Sequence, residues 1–156
     1  MIYLRAMTDE EFEKFKVTSQ REYATGFAEC EGIEFEKALK GASEQFDRMI
    51  TNGLQTPGHL FFQAIEEKSG ESIGFLWLGI QDRLGRKVTS INDIFIQASH
   101  RGNGYGKALM KCVEHEAQKA GSKRIRLHVF QHNETARNLY TSMGFHPTNS
   151  DMVKLI

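Results

Sequence analysis

Hydrophobic positions change their spacing several times along the chain, and each change predicts an element. Ile2 and Leu4 alternate with Tyr3 and Arg5, a period of two that predicts a short strand over Ile2 to Arg5. Thr8-Asp9-Glu10-Glu11 then reads as a capping box opening a helix, because a threonine hydroxyl and a glutamate three residues later can satisfy each other's backbone N–H groups. Phe12, Phe15, Ser19, Tyr23 and Phe27 fall on one face of that helix, and Gly32 ends it. Phe35, Leu39, Ala42, Phe46, Met49 and Ile50 recur at threes and fours and predict a second amphipathic helix, stopped by Asn52-Gly53 and Pro57-Gly58.

From His59 to Glu67 and from Ser72 to Gln81 the β-branched and aromatic residues predict two strands joined by the turn Lys68-Ser69-Gly70-Glu71. Gln81 to Arg86 is a further turn, and Val88 to Gln97 a third strand of the meander. Helical spacing returns over Gly104 to Ala120, with Leu109, Cys112, Val113, Ala117 and Ala120 on one face and Gly121 as terminator. Arg124 to Phe130 reads as a strand, Asn133 to Met143 as a helix ending at Gly144, and Phe145 to Ile156 as a closing strand or strand pair. A meander followed by strand, helix, strand, helix and strand predicts an α/β (α+β) fold. Its mixed, mostly antiparallel central sheet would have six to seven strands with helices on both faces, since a parallel pair needs a crossover, here Gly104 to Ala120.

Composition narrows the function classes. The 156 residues have the length of one domain, 1–156, with ordinary proportions of apolar (40%) and charged (26%) residues. Acidic and basic side chains balance at 20 each, so no net field draws the chain to nucleic acid or an anionic membrane. Met1 to Asp9 alternate apolar and polar residues, so no secretory signal is expected, and no apolar run approaches membrane-spanning length. Cys30 and Cys112 lack metal-ligand spacing and read as packing residues in a reducing, cytoplasmic protein.

The segment richest in chemistry is His100-Arg101-Gly102-Asn103-Gly104-Tyr105-Gly106-Lys107, between a strand and a helix. Glycines at a helix N-terminus let the backbone curl against an anion and aim N–H groups at it, while the helix dipole adds positive charge. Arg101 and Lys107 can neutralise what the amides grip; alternatively the glycines serve only a tight turn. A Walker A loop would need glycine at Arg101 and Ser or Thr at Ala108, and a dinucleotide fingerprint would need glycine at Lys107, so both are excluded.

Two motifs stand in register. Arg101-x-x-Gly104-x-Gly106 follows the strand Ile91-Asn92-Asp93-Ile94-Phe95-Ile96, and Asn133-x-x-Ala136-x-x-Leu139-Tyr140-x-x-x-Gly144-Phe145 lies downstream. In both the chain resembles the GNAT N-acetyltransferase superfamily, in particular its small single-domain bacterial-type members. It departs at Ala98, where family members often have proline. The resemblance implies acetyl-CoA as donor cosubstrate, its pyrophosphate held by backbone amides from Arg101 through Gly102, Asn103, Gly104, Tyr105 and Gly106 to Lys107. It further implies that the strand around Ile94, Phe95 and Ile96 bulges away from Leu127 to Phe130, exposing backbone groups to pantetheine, with an N–H of Ile96 or Phe95 facing the thioester oxygen.

The resemblance makes Tyr140 the acid beside the leaving sulfur, whereas helical spacing alone favours a packing tyrosine in the core. It also gives Asn133 a pantetheine contact beside its N-cap position. For the base, Asp93 and Asn92 on the strand approaching the centre, on opposite faces, can each hold a water that relays the amine proton; a structural ion pair is the alternative for Asp93. His128 and His132 lack a carboxylate companion, so no metal is expected. Glu29, Glu31, Glu34 and Glu36 either attract a cationic amine or form a solvated face. Trp77 and Phe75 read as core residues, with a place in the pocket lining as the alternative for one of them, and the acceptor pocket is expected among the first two helices, their connection and the last strands. The expected partners are acetyl-CoA and an amine acceptor, for a monomer or homodimer that engages neither nucleic acid nor membrane. A module that binds an acyl-CoA without transfer is the alternative.

Overall fold

A computed structural model describes residues 1–154 and 156. Among them one sheet of five strands runs in the order β1-β2-β3-β4-β5: β1 (Ile2–Ala6), β2 (His59–Glu66), β3 (Ser72–Arg83), β4 (Arg86–Ile96) and β5 (Arg124–Leu127). The first four pair antiparallel, and β4 pairs parallel with β5. Helix α3 (Tyr105–Lys119) makes the crossover that the parallel pair requires. Helices α1 (Asp9–Glu31), α2 (Phe35–Met49) and α4 (Glu134–Ser142) complete the set.

The predicted mixed sheet is present with five strands instead of six to seven. Phe145 to Lys154 form no strand, and position 155 lies outside the described residues. The segment's apolar residues are scattered among Pro147, Asn149 and Asp151, so no period of two is sustained, and Met152 and Val153 stand exposed.

Each face of the sheet is closed by a helix pair. On one, Phe12 and Phe15 of α1 and Phe46 of α2 pack on Phe61, Phe75 and Trp77. On the other, Leu109, Met110 and Val113 of α3 and Tyr140 of α4 pack on Ile73, Leu76, Leu78 and Ile91. Each such side chain, fully buried, contributes about 1.5–3 kcal/mol. The capping box forms as expected: Thr8 Oγ1 accepts from Glu11 N–H and the Glu11 carboxylate accepts from Thr8 N–H. Gly32 ends α1 in the left-handed region at φ 65°. The turn expected over Gln81 to Arg86 tightens to Leu84-Gly85, with φ 56° and 74° as a two-residue hairpin requires. Cys112 packs against the α3/α4-side core, whereas Cys30 is exposed and is not a packing residue; it sits in the last turn of α1, past the buried stripe.

Candidate active site

Strand β4 departs from regular pairing at one point: across β3 the register runs Leu78↔Ile91 and then Trp77↔Asp93, so Asn92 is an extra residue. Such a bulge turns two successive side chains to one face. Ile91 and Ile94 both belong to the α3/α4-side core. Asp93 instead accepts a hydrogen bond from the hydroxyl of Ser19 on α1. Asn92 Nδ2 lies 2.9 Å from where a Cβ on Gly79 would stand, and Gly79 alternates onto the face of Phe75 and Trp77. Asn92 and Asp93 therefore share the α1 face, and their expected placement on opposite faces is corrected by the bulge. Asn92 Nδ2 is buried without a hydrogen-bond partner among the described residues.

Loss of hydration pushes the Asp93 carboxyl up to about 6, against the Ser19 hydroxyl and the Ile94 N–H, which favour its charge; nearby Glu22 adds to the rise. Ser19, 1% exposed, was legible only as a polar interruption of an otherwise aromatic stripe, and its role as partner to Asp93 escaped the sequence. Tyr140 stands on the opposite face, 9% exposed, its hydroxyl pushed up to about 12 by burial first and by the charge of Asp93 second.

Beyond the bulge the sheet opens. Pairing of β4 with β5 stops at Ile91↔Leu127, while β4 stays paired with β3 up to Ile96. Gln97 N–H donates to Ile73 C=O at 2.9 Å, and the Phe95 carbonyl crowds the Cα of Gly74, so Phe95 directs its backbone groups at β3. By alternation, Ile96 directs its N–H and C=O into the opening.

The glycine turn follows. Gly102 and Gly104 have φ of 80° and 79°, and the space where a Cβ would stand is open at each, so these two glycines serve the loop conformation. Gly106 serves packing: a Cβ there would meet Leu139 of α4 at 3.1 Å. The first intrahelical bond of α3 runs from Ala108 N–H to Gly104 C=O at 3.2 Å, so the N–H groups of Tyr105, Gly106 and Lys107 project from the helix start. Arg101 N–H is taken by Ala98 C=O at 3.2 Å and does not join them.

Most side chains of the turn hold it in place. Arg101 Nε donates to Ile96 C=O at 2.9 Å with its guanidinium 5.5 Å from the Phe95 ring centroid, Asn103 Nδ2 reaches the carbonyls of His100 and Arg101 at 3.3 Å, and Tyr105 bonds Glu66 across to β2. Lys107 is exposed and has no ion-pair partner among the described residues. Asn133 caps α4 through Oδ1, which accepts from Ala136 N–H at 3.1 Å, and its Nδ2 makes no hydrogen bond among the described residues. His132 pairs with Glu29 at 3.4 Å, and no group of three metal-ligating side chains converges among the described residues.

This combination of opened sheet, glycine turn and crossover helix is an acyltransferase architecture, and comparison with known proteins agrees. The acetyltransferase (GNAT) family model matches residues 10–145, and the chain belongs to that family. It is 32% identical over 151 residues to the uncharacterized N-acetyltransferase YdgE of Bacillus subtilis, covering 97% of this chain and 96% of the relative. The crystal structure of the putative acetyltransferase YycN from Bacillus subtilis superposes with a TM-score of 0.93 at 28% identity, covering 100% of this chain and 99% of that one. A putative acetyltransferase from Pyrococcus furiosus gives 0.74 at 28% identity, with coverage of 100% and 99%. The protein is an N-acetyltransferase of the GNAT family. Among the described residues no helix is long and apolar enough to cross a membrane.

Proposed function

We propose that the protein transfers the acetyl group of acetyl-CoA to a primary amine by direct attack in a ternary complex. The observation that carries this is the bulge, which turns Asp93 to the α1 face of the opened sheet while Tyr140 stands on the α4 face. An acid and a base on opposite sides of one gap suit an amine arriving from one side and a thiolate leaving on the other.

Acetyl-CoA fits the residues present. The N–H run from Gly102 to Lys107, with the α3 dipole and Lys107, suits a diphosphate. The unpaired edge of β4 and Asn133 Nδ2 suit the amides of pantetheine, and Ile96 N–H faces the thioester oxygen. Asp93 accepts the proton of the attacking amine through a water shared with Asn92, the N–C bond forms, the C–S bond breaks, and the Tyr140 hydroxyl gives its proton to the departing thiolate. An ionised Asp93 above pH about 6 and a Tyr140 protonated up to about 12 leave a wide interval in which both groups are in the required state. The same reading takes residues 1–156 as one domain working in the cytoplasm, as monomer or homodimer and without a metal.

The test is calorimetric titration with acetyl-CoA, then thiol release over a mixed pool of polyamines, amino acids, aminoglycosides and peptides, with products identified by mass spectrometry. Binding followed by amine-dependent thiol release is expected. Tight binding with no such release from any pool would favour a non-catalytic acyl-CoA module.

A further inference from the structure

Among the described residues three polar side chains are buried, and two of them secure connections. Thr56 holds the turn before β2 through Gly53 C=O at 2.7 Å and Asn52 N–H at 3.0 Å, and Thr89 pairs with Ser122 Oγ, at the turn into β5, at 2.8 Å. Ser19 secures no connection. It stands in the middle of α1 on the buried stripe of Phe12 and Phe15, where a hydroxyl can bond back to the carbonyl one turn earlier. Thr25 on the same helix does so, reaching Arg21 C=O at 2.9 Å. Ser19 instead donates across to Oδ2 of Asp93.

A carboxyl taken out of water for a structural purpose is usually matched to a cation. Asp93 is not: no lysine, arginine or histidine pairs with it among the described residues. Of the titratable groups on the elements around it, Glu22 on α1 disfavours its charge, and its charge in turn acts on Tyr140 of α4. Strand β3 sets the uncharged Trp77 opposite it, and β5 ends its pairing one step earlier, at Ile91. The Ser19 hydroxyl takes Oδ2, and Oδ1 has no side-chain donor among the described residues.

We infer that Ser19 is a positioning residue for acetyl transfer: its hydroxyl fixes the Asp93 carboxylate by one oxygen and leaves the other to receive the proton of the attacking amine. The inference rests on the transferase reading above, in which Asp93 is the base. A carboxylate free to turn about its side-chain bonds spends only part of its time in the productive geometry, and a hydrogen bond from a helix removes that freedom. The donor's neutrality matters as much as its position. An arginine or lysine would hold the carboxylate as firmly, but would favour its charge so strongly that little basicity remained. A hydroxyl orients it and leaves it able to take a proton near neutral pH.

The test follows the rate of thiol release against pH at saturating acetyl-CoA, with the mixed amine pool above, in wild type, Ser19→Ala, Ser19→Cys and Asp93→Asn. Melting temperature and acetyl-CoA affinity are measured alongside. The Ser19 bond favours the charged carboxylate, so its loss raises the Asp93 carboxyl further. In Ser19→Ala the acid limb should therefore move to higher pH by about one unit, and the plateau rate should fall by about tenfold, with acetyl-CoA affinity unchanged. Ser19→Cys keeps the volume and a weak S–H donor, so its limb should lie between the two, and it carries the comparison by itself if alanine weakens the fold. Ser19→Ala should add little further loss to Asp93→Asn, since the two act through one carboxylate. A serine that only packs would lower the melting temperature and leave limb and plateau in place. That result, with the limb abolished in Asp93→Asn, overturns the inference and leaves the transferase reading standing. A limb that persists in Asp93→Asn removes the base and Ser19's part with it, and a wild type that releases no thiol with any amine removes both readings.

Discussion

The β4 bulge and the glycine turn that follows the strand are built in opposite ways. The turn presents backbone: its N–H groups point outward, and Arg101, Asn103 and Tyr105 turn back to Ile96, His100 and Glu66 to hold the loop's shape. The bulge presents side chains: Asn92 and Asp93 project together towards α1. A region that binds through backbone constrains residue type only where glycine is required. A region that acts through side chains constrains which face each one occupies.

The sharpest way to break this contrast is at the bulge. Asp93→Asn preserves shape and the Ser19 contact but removes the base, so kcat/KM should fall by about a hundredfold to ten-thousandfold with acetyl-CoA affinity unchanged. Wild-type activity should rise with pH through about 6, where Asp93 ionises, and that limb should vanish in the variant. Stability moves the other way. The folded carboxyl lies near 6 against an unfolded value near 4, so the folded state binds more protons between them and loses stability as pH rises through that interval. Asp93→Asn should therefore be more stable than wild type at pH 8, by up to about 3 kcal/mol, with the difference disappearing below pH about 4. A destabilised Asp93→Asn protein with wild-type rates would make Asp93 a structural partner of Ser19 and nothing more.

That asymmetry also explains what the sequence disclosed. The turn's motif, the capping box and the stop glycines are local, because each is fixed by backbone conformation within a few residues. The bulge is not local: the resemblance led us to expect it around Ile94 to Ile96, whereas it lies at Asn92, set by the slip of β4 against β3 at Leu78 and Trp77, and no pattern in β4 alone announces that place. Asp93 was therefore legible as a candidate, its Ser19 partner was not, and the expectation that Asn92 and Asp93 lie on opposite faces was wrong. The contact of Phe130 with α1, where a Cβ on Gly26 would come within 2.7 Å of the ring, is hidden for the same reason.

A smaller effect is expected where the backbone itself binds. Gly104→Val forces a β-branched residue to φ 79° and puts methyl groups into the open space before the helix, so CoA affinity should drop by about tenfold or more. Gly104→Asn separates the two causes, since asparagine tolerates the left-handed region but still carries a Cβ. Thermal denaturation close to wild type together with weakened CoA binding in Gly104→Asn assigns the loss to blocked approach. Wild-type CoA affinity in both folded variants would remove the anion site.

The smallest effect distinguishes the two cations of the turn. Arg101 is tied by Nε to the Ile96 carbonyl and lies against Phe95, so its contribution to binding is the shape of the loop; Lys107 is exposed on the first turn of α3 and contributes charge. Arg101→Ala should weaken CoA and acetyl-CoA equally, by about fivefold, the worth of roughly one hydrogen bond, and should leave the salt dependence of binding as it was. Lys107→Ala should produce a loss of similar size at low salt that shrinks as ionic strength rises, because a solvent-exposed charge is screened within about 10 Å at 0.1 M. Titrations of both ligands at three salt concentrations resolve the pair. A loss confined to acetyl-CoA would place Arg101 at the thioester, and a flattened salt dependence in Arg101→Ala would show that its guanidinium leaves Ile96 to meet the diphosphate, making the turn a binder through side chains after all.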